Sequence, residues 1–135
     1  MYISETSIRV RYSETDQMGY VYYGNYAMYY EVARVESLRQ LGLTYREIEE
    51  MGVMMPVLEN WSRYIAPARY DDLLRIVTTL REKPGVRIRF EYEIFNSMNT
   101  LINQGETVLV FINKETNRPC RQPPAMQKVL EQFFG

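Results

Sequence analysis

Between Gly24 and Gly42 the chain carries one helical pattern with apolar or small side chains on two faces. Tyr26, Tyr29, Tyr30, Ala33, Ser37 and Leu41 recur at three- and four-residue spacing, and Met28, Val32 and Val35 form a second stripe. Only a narrow strip around Glu31, Arg34 and Arg39 is charged, which predicts a helix covered on most sides. Gly42 suits the left-handed residue that ends a helix. Such a helix cannot lie on a flat surface; something must curve around it.

The remaining segments supply that cover. Residues 6–12 alternate Ile8, Val10 and Tyr12 against Arg9 and Arg11, the period of two of a half-buried strand. Residues 53–65, 73–82, 86–95 and 100–113 also read as extended, with Pro84-Gly85 and residues 96–99 as turns between neighbours. Short turns imply antiparallel hairpins. The clearest alternation sets Val86, Ile88, Phe90, Tyr92 and Ile94 against Arg87, Arg89, Glu91 and Glu93, one covered face and one wetter face. Gly105 predicts a bulge or a close backbone approach. Thr44 and Glu47 form a capping box for a short helix over 45–51, and a terminal helix is predicted over 125–134 after Pro123-Pro124. The prediction is an α+β fold, a five-stranded antiparallel sheet wrapped around one long central helix. A chain of 135 residues has room for one core, so residues 1–135 read as a single domain.

With 16 basic and 17 acidic residues the net charge is -1, without the basic excess of a protein that tracks nucleic-acid phosphates. A single cysteine forms no internal disulfide, and no leader or apolar run of ~18 residues is visible, so no membrane span and a cytoplasmic location are expected. The chain has no histidine, so any hydrolytic chemistry must rest on another group. Without an imidazole to deprotonate it, Cys120 reads as a packing or surface residue. No metal site is predicted.

Chemistry is best placed where the loop from Ser13 to Tyr23 meets the helix start. The first amides of a helix lack internal partners and sit at the positive end of its dipole, which suits a carbonyl oxygen that turns negative during acyl transfer. The amides of Tyr23 and Gly24 are the candidates, with Val21, Tyr22 and Tyr23 as an apolar patch that excludes water. Asp16, seven residues before Tyr23, is the acid that can fold back toward them. Each has an ordinary alternative: Asp16 and Gly19 as turn residues, Asn25 as a local cap, Tyr12 as core.

The run from Tyr12 to Tyr26, YSETDQMGYVYYGNY, followed by Glu31-Val-Ala-Arg34, resembles the signature of the hotdog-fold acyl-CoA thioesterases of the 4-hydroxybenzoyl-CoA thioesterase and YbgC-like group. The resemblance continues through Tyr64-Ile-Ala-Pro-Ala-Arg-Tyr-Asp-Asp72 and from Gly105-Glu-Thr to Arg118-Pro119, nearly to Pro124. It implies the sheet-around-helix fold, and Asp16 as the essential carboxylate, acting as nucleophile or as base for water. It places the oxyanion-binding amide at position 23, a tyrosine near the acid at Tyr12, and the family's Asn-Tyr at Asn25 and Tyr26. Tyr23 departs from the many members with histidine there, a change that a backbone donor survives.

The implied substrate is a small or aromatic acyl-CoA, with an acyl carrier protein as the alternative carrier, and no cofactor beyond the coenzyme A of the substrate. With Asp16, Tyr23 and Gly24 as the catalytic set, Tyr12, Gly19, Val21, Tyr22, Asn25 and Tyr26 are the substrate-binding candidates. The family's pocket lies between subunits, which implies a homodimer or homotetramer. Arg63, Arg69, Arg87, Arg89 or Arg121 is a candidate to meet the phosphates of coenzyme A, with a solubilising surface side chain as the ordinary reading of each. Glu31 is the rival acid, since another branch of hotdog thioesterases carries its carboxylate on the helix; three residues before Arg34, it reads as half of a helix ion pair. A non-hydrolytic acyl-binding module of the same fold is the competing function. A hotdog dehydratase would ask for a histidine that the chain lacks.

Overall fold

Strand β1 (Tyr2–Arg9) opens the computed structural model, which describes all residues from Met1 to Gly135. Helix α1 (Asn25–Arg39) and the short α2 (Tyr45–Glu50) follow, then β2 (Val53–Met54), β3 (Val57–Tyr64), β4 (Leu73–Leu80), β5 (Arg87–Phe95) and β6 (Leu101–Val110). The two-residue strands β7 (Ile112–Asn113) and β8 (Arg118–Pro119) and helix α3 (Pro124–Leu130) complete the chain. Five strands form one sheet in the order β1-β4-β5-β6-β3, every neighbouring pair antiparallel. Strands β2, β7 and β8 form a separate small sheet.

The alternation in β5 sets the inner face. Ile88, Phe90, Tyr92 and Ile94 are buried, while Arg87, Arg89 and Glu93 are exposed. Val86 was expected inside; it precedes the strand and is exposed. Against this face α1 buries Tyr26, Tyr29, Tyr30, Ala33, Arg34, Ser37 and Leu38. The Tyr30 ring stacks on Tyr92 with centroids 4.2 Å apart and planes at 1°. Its phenol occupies the place where a side chain at Gly105 would stand, so the close backbone approach predicted there is made by Tyr30.

The helix differs from the sequence reading in three respects. It spans 15 residues and ends at Arg39, with Gly42 as the left-handed residue (φ 83°) after a closing turn. Its far face is open in this chain: Ala27, Met28, Glu31 and Val32 are exposed, because the sheet covers only one side. Arg34, assigned to the charged strip, is buried. It forms no ion pair with Glu31 and donates to the hydroxyls of Tyr45 (3.3 Å), Tyr92 (3.1 Å) and Thr107 (3.4 Å). Three polar groups gathered from α2, β5 and β6 give this guanidinium the partners that burial requires.

Two predicted strands are each split in two. The run over 53–65 breaks at Pro56, which has no amide to donate, and its halves join different sheets. The run over 100–113 divides at Phe111 in the same way, as the chain crosses from the large sheet to the small one. Strand β1 starts at Tyr2, four residues before the predicted start; the Tyr2 hydroxyl donates to the Ser37 carbonyl at 2.7 Å and fixes the strand beside α1. The Thr44 hydroxyl accepts from the Glu47 amide at 3.1 Å, the predicted cap of α2.

Candidate active site

After β1 the chain is clamped to the β3–β4 connection, with the Val10 amide donating to Asp72 (2.9 Å) and the Val21 amide to Ala68 (2.8 Å). Between these clamps residues 11–20 form a small loop of their own. The Asp16 amide donates to the Tyr20 carbonyl at 2.7 Å, and Gly19, at φ 82°, makes the reversal that this closure needs. Oδ1 of Asp16 accepts from the amides of Met18 (2.9 Å) and Tyr20 (3.2 Å), whereas Oδ2 takes no hydrogen bond within the protein. The expected turn role of Asp16 is therefore real, and it uses one oxygen.

Asp16 is half-buried in a cleft of about 290 Å³. Met18, Tyr20, Val21, Tyr23 and Tyr26 line it from the loop and the helix start, and Tyr64, Ile65, Ala66 and Pro67 line it from the end of β3 onward. Asp16 is the sole ionisable carboxyl among these residues; the other walls are tyrosines and aliphatic groups. Tyr64 organises the aromatic side, with its ring 6.2 Å from Tyr23 and 5.4 Å from Tyr26, both edge-on. Burial pushes the Tyr26 hydroxyl up to about 12, with Tyr64 and Asp72 adding to the effect, so it remains a protonated donor at neutral pH.

The helix start has the predicted free donors. The Asn25 amide donates to Tyr22 (2.9 Å) and the Tyr26 amide to Tyr23 (3.3 Å), while the amides of Tyr23 and Gly24 donate to nothing within the protein. Gly24 has ordinary helical angles, φ -64° and ψ -21°, so no strain demands glycine there. A β-carbon there would lie 2.7 Å from Cε2 of Tyr22, so any larger residue requires that half-exposed ring to shift.

Of the residues proposed from sequence, Asp16, Val21, Tyr23 and Tyr26 share the cleft. The others, Gly24 of the catalytic set among them, lie outside its lining. Tyr12 is 78% exposed and meets Tyr70 edge-on at 5.7 Å, neither core nor cleft. Gly19 serves the turn, Tyr22 lies over Gly24 and against Tyr23, and Asn25 donates from Nδ2 to the Glu14 carbonyl at 2.8 Å. Glu31 is exposed on the open face of α1, away from the cleft. Among the arginines, Arg69 lies beside the cleft with its guanidinium 5.2 Å from the Tyr20 ring, and Arg89 pairs with Glu106. Cys120 is half-buried and its thiol is free.

Sequence reasoning missed the far wall and the buried acid behind the loop. The Tyr64 to Pro67 stretch was legible only as part of a family-like motif. Glu14 gave no signal, because its burial depends on Tyr29, fifteen residues away. Burial alone would raise its carboxyl, but the Arg11 amide, the Tyr29 hydroxyl and the Arg11 guanidinium hold it below the usual glutamate value.

No group of three or more His, Cys, Asp and Glu side chains is placed to hold a metal ion, and no helix is long and apolar enough to cross a membrane.

A five-stranded antiparallel sheet packed on one helix is the arrangement of the α+β hotdog fold. The chain belongs to the thioesterase-like superfamily, whose family description matches residues 10–130. It is 34% identical over 119 residues to the acyl-CoA thioester hydrolase YbgC of Escherichia coli O6:H1, covering 88% of this chain and 89% of that protein. It is 36% identical over 104 residues to the acyl-CoA thioesterase YbgC of Haemophilus influenzae, covering 76% and 75%. A crystal structure described as a DHNA-CoA thioesterase from Staphylococcus aureus superposes with a TM-score of 0.92 at 33% identity, over 98% of this chain and 91% of that one.

Proposed function

We propose that the protein is an acyl-CoA thioesterase that hydrolyses a small or aromatic acyl-CoA to the free acid and coenzyme A. The observation that carries this reading is the meeting of Asp16 with Tyr23 at one cleft, where α1 begins with two unbonded amides. The walls, four tyrosines among them, suit a flat or short apolar acyl group. The names of the YbgC relatives and of the DHNA-CoA thioesterase support a coenzyme A thioester as substrate.

The Asp16 carboxylate either attacks the thioester carbonyl carbon or removes a proton from the water that does. The carbonyl oxygen gains the negative charge and is held by the amides of Tyr23 and Gly24 at the positive end of the α1 dipole. The carbon–sulfur bond then breaks with its electron pair on sulfur. A thiolate leaves without a strong general acid, which is why a chain without histidine can do this work. In the first route water hydrolyses the resulting anhydride and restores Asp16; in the second the acid forms directly. Neither route uses a cofactor beyond the coenzyme A of the substrate.

Residues 1–135 act as one domain, in the cytoplasm, on acyl-CoA or on an acyl carrier protein as alternative carrier. Strand β3 is bonded on one side only, and Val57, Leu58, Trp61 and Tyr64 are each about half exposed on it. Such an edge is completed by a second copy in a homodimer or homotetramer. A second copy over Met28 and Val32 would also make α1 the enclosed central helix of the sequence reading.

Thiol release from a panel of acyl-CoA substrates tests this reading. Asp16→Asn is expected to lose at least about a hundredfold in turnover, on the order of 3 kcal/mol of barrier, and to stay folded. Saturable acyl-CoA binding without release for any acyl group would replace the enzyme by a binding module.

A further inference from the structure

Two residues before Asp16, Glu14 is buried to 5% exposure although it does not line the cleft. Its Oε1 accepts from the Arg11 amide and the Tyr29 hydroxyl, both at 2.9 Å, and its Oε2 accepts from Arg11 Nε at 2.9 Å with Nη2 also at 2.9 Å. Its carbonyl accepts from the Tyr22 amide at 2.9 Å and from Asn25 Nδ2 at 2.8 Å. One residue thus joins the end of the β1 segment, the loop that carries the acid, and the first two turns of α1. Asp16 on one side, and the Tyr23 and Gly24 amides on the other, branch from this junction.

We infer that Glu14 is a positioning residue for hydrolysis, holding Asp16 in register with the helix-start amides through its buried bond to Tyr29. The inference rests on the thioesterase reading above. Its physical basis is the steep dependence of rate on geometry, where a displacement of about 1 Å costs on the order of a hundredfold. Of the side chain's two partners, Arg11 is 73% exposed and its pairing is weakened by solvent, whereas Tyr29 is 1% exposed and fixed in the core. Of the bonds made by the side chain, the one to Tyr29 is therefore the one that ties it to the helix. The bonds from the Tyr22 amide and from Asn25 Nδ2 to the Glu14 carbonyl survive a change of its side chain, so the loop loosens without unfolding.

The test compares Glu14→Met, Tyr29→Phe, the double variant and Asp16→Asn, using an acyl-CoA that the unaltered protein hydrolyses, with amide hydrogen exchange on the same samples. Glu14→Met, nearly the same size but without an acceptor for the Tyr29 hydroxyl, is expected to lower kcat about tenfold while KM stays within about twofold, because orientation and not binding is lost. Tyr29→Phe reproduces the loss, and the double variant adds little to either, since both remove one connection. Exchange at the Met18 and Tyr20 amides, which bond to Asp16, speeds up, while the amides of β5 keep their protection. A purely stabilising Glu14 would instead lower the melting temperature and leave kcat per folded molecule unchanged, which overturns the inference. If Asp16→Asn abolishes turnover and neither Glu14→Met nor Tyr29→Phe alters kcat, the inference fails alone. Turnover that persists in Asp16→Asn overturns the role given to Asp16 and this inference together, and the absence of thiol release from any acyl-CoA by the unaltered protein overturns the thioesterase reading.

Discussion

Asp16 and Glu14 stand two positions apart in one loop and are treated very differently by the fold. The first keeps an oxygen without a protein partner in a cleft; the second has both oxygens occupied inside the core. The folded value of the Glu14 carboxyl is depressed, so its contribution to stability is fully present above the unfolded glutamate value and is lost as pH falls through the folded one. The stability gap between the unaltered protein and Glu14→Gln is accordingly expected to be full at pH 7 and to close on acidification below the ordinary glutamate range, as read by urea denaturation across pH. At Tyr23 the proposed donor is the main chain. Tyr23→Phe should keep turnover within about threefold, whereas Tyr23→Pro, which deletes the N–H, should cost on the order of a hundredfold. Comparable losses in both would assign the role to the phenol. Asp16 was legible as a candidate because acid, glycine and helix start fall within one short run. Glu14 and Arg34 were not, since each looks like a surface charge until partners remote in sequence are brought against it.

At the scale of elements, the alternation in β5 and the capping of α2 could be read directly, because each depends on residues a few positions apart. The divisions at Pro56 and Phe111 could not, since they follow from which sheet each half joins. The contact of Gly105 with Tyr30 carries its own prediction. A β-carbon there meets the phenol ring wedged between α1 and β6, so Gly105→Ala should destabilise the fold by about 1–3 kcal/mol through overpacking. Thermal denaturation measures it. Tyr30 is hydrogen bonded to Ser62 and Asn103, so the ring has little freedom to give way. An unchanged melting temperature would mean that the helix slides easily along the sheet.

The sheet has two edge strands, β1 and β3, and it is the β3 edge and the open face of α1 that are left unfinished. Both carry exposed apolar side chains, Leu58 and Trp61 on β3 and Met28 and Val32 on α1. The sequence pattern recorded this as a helix apolar on most sides; it could not record that a single chain would cover only one of them. Leu58→Lys combined with Trp61→Lys should shift the sedimentation of the protein toward a monomer, with little change in far-UV circular dichroism. A monomeric starting protein would refute the proposed assembly. The turn at Asp16 has one more consequence. One oxygen of that carboxyl is a fastener of its own loop, and an asparagine offers an oxygen able to grip the same two amides while giving up the anionic charge. An alanine would let go of both at once. The amide variant therefore separates the craft of the loop from the reactivity of the acid, and the difference between the two substitutions measures how much of this corner is scaffold and how much is reagent.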